Sequence, residues 1–223
     1  MRFVVTAGPT REFSDPVRFL SHPSTGRMGF AVARAARAAG HEVTLIAGPV
    51  ALKTPRGVRR IDVISARDML QAVRTVIARA DALVMTAAVA DWRPARRAAR
   101  KLKKSEMSDT LKLVRNPDIL KTINRLVGSP RRGDRLLIRI GFAAETGAPA
   151  AEAARKCREK GLDLVVGNDV TARGSGFGTT TNRVTFVTPD GRMQYLPLMS
   201  KLAVARRIVS FAESAAQRKG AGA

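Results

Sequence analysis

Short apolar runs alternate with amphipathic, alanine-rich stretches along most of the chain, and this alternation narrows the available folds more than any other feature. Residues 2–7 (RFVVTA) read as a strand running into the turn Gly8-Pro9. A long polar loop follows over 10–26. Residues 27–39 read as a helix with Phe30, Ala31, Ala35 and Ala38 near one face, capped by Ser24 or Thr25 and ended by Gly40. Residues 42–47 (EVTLIA) form a second strand, and right-handed crossover makes the two strands parallel neighbours.

The strand signal returns at 58–64, 82–90, 135–141 and 162–167, with helices expected over 66–80, over 149–160, and from Asn116-Pro117-Asp118 to Leu126 with the proline in the first turn. Residues 82–90 are nearly all apolar, as expected where both sheet faces are covered. Residues 110–114 read as a small edge strand and 128–135 as a polar loop. After a Gly/Thr-rich, flexible stretch at 171–181, segments 183–187 and 193–197 flank the turn signal Pro189-Asp190-Gly191. A helix over 200–213 closes the chain, and 217–223 is expected to fray. The expected fold is α/β, a Rossmann-like, mostly parallel sheet with helices on both faces plus a C-terminal β-hairpin and helix, in a single domain over 1–216.

The totals exclude several classes. No apolar run approaches the roughly 20 residues of a membrane span, and the first residues read as a strand rather than a secretory leader. A cytoplasmic protein with no membrane partner is expected. Cys157 is the single cysteine, so neither an intrachain disulfide nor a cysteine-based zinc cluster can form. His22 and His41 are the two histidines, and the metal ligands stay unassigned. The net charge of +22 implies affinity for polyanions: nucleic acid, acidic membranes or phosphorylated small molecules. The arginines are spread over the helices, and only 4% of residues are aromatic, which argues against a stacking platform for single strands and a specific nucleic-acid partner.

Three loops are expected to meet at the carboxyl edge of the sheet: 8–29, 91–104 and 142–146. In the first, Gly8, Gly26 and Gly29 are too far apart for a G-x-G-x-x-G turn. The helix starting near Gly26 still offers backbone N–H groups that suit a phosphate, although a purely structural loop fits the same residues. The second follows the small apolar residues 85–90, breaks at Asp91-Trp92-Arg93-Pro94 and ends in Lys101-Leu102-Lys103-Lys104. This places a carboxylate on the rim, followed by a cationic flap suited to a triphosphate and metal; a solvated basic loop is the plainer alternative. Lys156 and Lys160 share a helix face and repel unless an anion, or solvent, lies between them. Cys157 reads as a small buried residue. Asp91 and Asp118 can each reach Mg²⁺ through water or act as caps and turn formers.

The segments TAGPTRE, DPVRFLS, STGRMGFAVA, AAVADWRP, KLKK, RNPDIL, GFAAET and GNDV, in this order and spacing, resemble phosphopantothenate–cysteine ligase of the bacterial type, from about residue 3 to residue 212. The resemblance implies that the carboxylate of 4′-phosphopantothenate attacks CTP, giving an acyl-cytidylate and pyrophosphate, and that the amine of L-cysteine then displaces CMP. It implies Mg²⁺, no flavin, a homodimer for which the Asp190-Gly191 hairpin is a natural arm, and a flavin-dependent decarboxylase as a possible separate partner. The segment Met1 to the first strand suggests a stand-alone ligase or the ligase half by itself.

Carried over by residue, the resemblance gives Lys101, head of the K-x-K-K motif, a catalytic phosphate contact. It gives the nucleotide Met85, Thr86, Ala87, Asp91, Pro117, Asp118, Ile119, Leu120, Phe142, Lys156 and Lys160. Ser24, Gly26, Arg27 and Asn168 fall in the substrate or phosphate loops. One departure stands out. The family pattern S-N-x-S-S/T-G-K-M-G reads here Ser21-His22-Pro23-Ser24-Thr25-Gly26-Arg27-Met28-Gly29. His22 replaces an asparagine that acts on the acyl-cytidylate, and imidazole lacks the amide's paired donor and acceptor. Arg27 keeps the lysine's charge but not its shape. A diverged, non-catalytic nucleotide binder of the same fold, or a basic nucleic-acid-associated protein, are the competing classes. The His22→Asn variant is expected to retain or raise turnover in a ligase assay; loss of turnover would show that the histidine has a role of its own.

Overall fold

The computed structural model describes residues 1–106, 108–128, 137–146 and 149–221. Strands β1 (Arg2–Ala7), β4 (Glu42–Ala47), β5 (Arg59–Asp62), β6 (Ala82–Met85), β9 (Ile138–Glu145), β10 (Leu164–Asp169), β11 (Thr181–Val187) and β12 (Met193–Ser200) form one sheet in the order β12-β11-β10-β9-β6-β1-β4-β5. The pairs from β10 to β5 are parallel, and β11 and β12 are added antiparallel. Two small ribbons lie outside it: β2 (Arg11–Phe13) with β3 (Phe19–Ser21), and β7 (Trp92–Pro94) with β8 (Leu113–Arg115). The helices are α1 (Arg27–Ala38), α2 (Ala66–Ile77), α3 (Ile119–Val127), α4 (Pro149–Glu159) and α5 (Lys201–Ala221).

Side chains alternate across each strand, so a sheet covered on both faces builds two cores. Phe3, Val5, Leu45, Val84, Ile140 and Val166 face α1 and α5, which bring Phe30, Val32, Val204 and Ile208. Val4, Ile46, Leu83 and Val165 face α2, α3 and α4, which bring Met69, Val73, Ile123 and Cys157. The expected architecture is therefore present, hairpin and closing helix included. Among the described residues no helix is long and apolar enough to cross a membrane.

Several boundaries differ from the sequence reading, each for a local reason. The strand expected over 82–90 stops at Met85. Beyond it, residues 86–90 follow the turn after β1 through Ala88 N–H to Gly8 O (2.9 Å) and Ala90 N–H to Thr10 Oγ1 (3.0 Å). The polar loop 10–26 contains the β2–β3 hairpin, and the edge strand expected at 110–114 pairs with β7 instead of joining the main sheet. Pro117 precedes the cap of α3, which is Asp118. The stretch 171–181 is tied by Thr181 Oγ1–H to Gly174 O (2.6 Å) and Thr179 Oγ1–H to Gly176 O (3.1 Å), so it is an ordered turn rather than a loose connection. Helix α5 continues to Ala221, into the 217–223 stretch expected to fray. Most of the polar loop at 128–135, and Arg135 and Leu136 at the start of the next expected strand, lie outside the described residues.

The first strand leads to α1 and β4 on one side, while β6 lies on the other, so the order reverses between β1 and β6. A crevice opens at such a switch point, beyond the carboxyl ends of the strands. Gly29 sets how closely α1 approaches it. A Cβ there would lie 2.5 Å from both Ala7 Cβ and Thr86 Oγ1 and 2.9 Å from Thr6 O. Gly29→Ala is expected to lower unfolding free energy by about 1–3 kcal/mol, measured by urea denaturation; an unchanged midpoint would mean that α1 can move outward freely.

Candidate active site

The crevice holds two contiguous cavities that share Ala87, Val89, Asp91, Phe142 and Lys156 as a common wall. The first, about 470 Å³, lies between 85–92, the start of α3, and Lys156 and Lys160 at the C-terminal end of α4. Its lining includes Met85, Ala87, Asp91, Pro117, Asp118, Ile119, Leu120, Phe142, Lys156 and Lys160. The second, about 390 Å³, lies over the start of α1 and is lined by His22, Ser24, Gly26, Arg27, Thr86 and Asn168. These residues come from distant parts of the chain and meet only because β1, β6, β9 and β10 are neighbours in the sheet.

The start of α1 does not have the cap expected of it. Its N-cap is Gly26, in the left-handed conformation at φ 75°, and no side chain caps the helix. Ser24 Oγ instead accepts from Gly26 N–H at 3.4 Å. Neither Ser24 nor Thr25 closes the helix end, so the positive end of α1 faces the second cavity, as an anion site requires.

Lys156, in α4, and Lys160, just past its end, each have a bonded partner of their own among the described residues. Lys160 Nζ pairs with Asp118 Oδ2 at 3.0 Å, and Lys156 Nζ donates to Phe142 O at 2.5 Å. Their mutual repulsion is thus offset locally while both still line the first cavity. Burial tends to raise the Asp118 pKa, but the Lys121 N–H and the Lys160 ammonium outweigh it and hold the carboxyl below its usual range. Asp91 is exposed at the wall between the cavities, and its carboxylate has no partner among the described residues. Among those residues no group of three or more metal-ligating side chains occurs. Cys157 is 2% exposed, donates to Leu162 O at 3.2 Å and has its pKa pushed up to about 11 by burial, all contrary to a nucleophile.

Lys101 stands apart. It is exposed on the segment between β7 and β8 and lines neither cavity. That segment is tied at Leu102, next to Lys101, by Asp15, which sequence reading missed. Asp15 accepts from Val17 N–H and Arg18 N–H (both 2.8 Å) and from the Arg18 guanidinium (2.7 Å). It also accepts from Leu102 N–H at 3.4 Å. Burial works to raise its pKa, but these donors prevail and lower it. The Asp15-Pro16 dipeptide between Phe13 and Phe19 was the available signal, a turn former flanked by strand residues. Asn116 was also missed: its N–H donates to Asp91 O (2.7 Å) and its side chain to Ala90 O (2.8 Å), fixing the wall that carries Asp91.

A depressed carboxyl pKa stabilises the fold above the ordinary value and ceases to do so as pH falls through the folded value. Asp118→Ala is therefore expected to cost about 1 kcal/mol at neutral pH, through the lost cap and screened ion pair. The gap from the parent should narrow as pH drops below 3.8, followed by thermal melts across pH; a gap that stays constant would contradict the assignment.

The chain matches the family described as DNA/pantothenate metabolism flavoprotein C-terminal domain over residues 1–215. It is 46% identical over 220 residues to the Coenzyme A biosynthesis bifunctional protein CoaBC of Bacillus subtilis (strain 168), covering 98% of this chain and 52% of that protein. It is 43% identical over 208 residues to the protein of the same name from Vibrio vulnificus (strain YJ016), covering 92% and 50% respectively. The chain thus spans about half the length of these curated relatives. A crystal structure of the C-terminal domain of Coenzyme A biosynthesis bifunctional protein CoaBC superimposes with a TM-score of 0.80 at 39% identity, over 97% of this chain and 96% of that one. With sequence and fold agreeing over almost its whole length, the chain belongs to the DNA/pantothenate metabolism flavoprotein C-terminal domain family.

Proposed function

We propose that this protein joins 4′-phosphopantothenate and L-cysteine, using CTP to activate the carboxylate. The observation that carries this reading is the continuity of the cleft. An apolar compartment bounded by Met85, Val89, Ile119 and Leu120 opens directly onto the uncapped start of α1 and Arg27. A nucleoside fits the first part and a chain of phosphates the second. The role of the relatives in coenzyme A biosynthesis supports the choice of substrate.

In the first step a carboxylate oxygen of phosphopantothenate bonds to the α-phosphorus as the bond to pyrophosphate breaks. In the second, the cysteine nitrogen bonds to the acyl carbon, the bond to the CMP oxygen breaks, and the nitrogen loses a proton. Both reactants of the first step are anions, so the cleft must offset their repulsion. Lys156, Lys160, Arg27 and the end of α1 supply positive charge along it. Asp91, unpaired at the wall, fits a Mg²⁺ held mainly through phosphate oxygens, which would withdraw charge from the reacting phosphorus. Met85, Ala87 and their neighbours, which line the first part, present backbone to the base, where hydrogen-bond pattern and size favour a pyrimidine. Lys101 reaches the phosphates when the segment between β7 and β8 folds inward over the β7–β8 ribbon. His22 lines the cavity where the family has asparagine, which favours one competing reading, a nucleotide binder without turnover.

A cytoplasmic homodimer is part of the proposal. Two apolar edges are available for pairing: Phe19 and Leu20 on β3 with Val17, and Met193, Tyr195 and Leu198 on β12. A flavin-dependent decarboxylase, fused or separate, is the expected consumer of the product.

The test is to incubate the protein with 4′-phosphopantothenate, L-cysteine, Mg²⁺ and either CTP or ATP and to measure pyrophosphate and products by mass spectrometry. CMP-linked intermediate and amide with CTP are expected. Lys101→Gln should remove most turnover with an unchanged melting temperature. Absence of pyrophosphate and amide with both nucleotides would leave only the binder.

A further inference from the structure

A groove of about 860 Å³ lies between α5 and the turn that joins β11 to β12. Asp163 and Leu164, at the start of β10, stand along it, so it opens at the amino ends of the central strands. The cleft lies at their carboxyl ends. The groove is larger than either cleft cavity and shares no lining residue with them. Its α5 wall is Arg207, Ser210, Phe211, Ser214, Ala215 and Arg218. Steps of three and four place these side chains on one stripe of the helix, and that stripe faces the groove.

The floor is apolar: Leu164, Phe186 and Ala215 are buried there and Phe211 is half-buried. The charges around it do not balance. Arg192, Arg207, Arg218 and Lys219 line the groove against two carboxylates, Asp163 and Asp190. Both carboxylates are already engaged. Asp163 pairs with Lys219 Nζ at 2.7 Å and accepts from Arg139 N–H at 2.8 Å. Asp190 pairs with Arg192 Nε at 3.1 Å and accepts from Thr188 Oγ1–H. Arg207 and Arg218 are exposed and have no ion pair among the described residues. Three helical turns, about 16 Å, separate them along α5, with Ser210 and Ser214 between.

We propose that this groove is a second ligand site, separate from the cleft, and that it takes an organic anion with an apolar body and a carboxylate, phosphate or sulfonate head. The body covers Phe186 and Phe211, and the head meets Arg207 or Arg218, whose planar fork matches two oxygens of such a group. An inorganic anion would gain one exposed charge contact and leave the apolar floor in water. A neutral apolar ligand would cover the floor but leave both guanidinium groups unanswered and partly desolvated. A molecule with both parts uses the whole groove, and the volume lies within the roughly 300–1,000 Å³ of small-molecule sites. The assignment is independent of the ligase reading, because none of these residues lines the cleft.

The experiment is fluorescence titration of the full chain with anilinonaphthalene sulfonate, an aromatic sulfonate, beside phenylnaphthylamine, which has the same rings and no charge. The sulfonate should bind about tenfold more tightly than the neutral probe, the worth of one charge-assisted contact. Changing Arg207→Gln and Arg218→Gln together should erase that difference at an unchanged melting temperature, since both positions are exposed. Ser210→Trp fills the groove from an exposed position and should exclude both probes. Decanoate, a carboxylate on an aliphatic chain, should displace the sulfonate from the parent. Equal affinity for the charged and neutral probes would remove the need for an anion and overturn the proposal. Sulfonate binding that survives both the double arginine change and Ser210→Trp would place the probe elsewhere and overturn it too. Either result stands whether or not the protein turns over phosphopantothenate, so failure of the ligase reading and failure of this site are read separately.

Discussion

The contact on which the site depends is the close approach of α1 to the ends of β1 and β6. Gly29 touches Ala7, Thr6 and Thr86 across a gap that has no room for a Cβ. Because the helix sits this low, its uncapped end opens into the switch point instead of above it. Thr86 reinforces the joint by donating from Oγ1 to Thr6 O at 2.6 Å, which fixes the backbone that leads into Asp91. The opening of the α1 end into the cavity and the placement of Arg27 both follow from this packing of one helix on two strands.

Charge is distributed around that joint in two ways. Where a cation serves the fold, a carboxylate or carbonyl answers it: Lys160 by Asp118, Lys156 by Phe142 O, and Arg18 by Asp15. Where the cleft turns toward α1, Arg27 and Lys201 lie together with no carboxylate bonded to either among the described residues. The net charge of +22 thus does not describe a uniform surface. Of that pair Arg27 is exposed and only Lys201 is buried, where a charge acts more strongly than in bulk water.

Much of the fold was legible because its signals are local. The apolar runs at 42–47 and 162–167 and the turn around Asp190-Gly191 each carry their structure in adjacent residues. Most expected site residues were legible as ordered motifs, and those from Met85 to Leu120 line the compartment between the strand ends and α3, with Thr86 facing the α1 side and Lys101 outside. Illegible were the features whose partners are remote. Asp15 and Leu102 are joined across 87 residues, and Lys201 and Gly176 across 25. Neither residue of either pair signals the other in the sequence. The cap of α1 was misread for a related reason: Ser24 and Thr25 are good cap residues, but the left-handed Gly26 separates them from the helix.

The sequence by itself determined the α/β alternation, the parallel core strands and the phosphate-suited glycine loop, since periodicity and turn chemistry act over a few residues. The tertiary structure decided that 86–90 leaves the ladder, that Asp118 neutralises Lys160, that Lys101 lies outside the cleft, and that Lys201 is buried beside Arg27. Those outcomes depend on which distant groups share a low-dielectric space, and strand order, not local propensity, sets that.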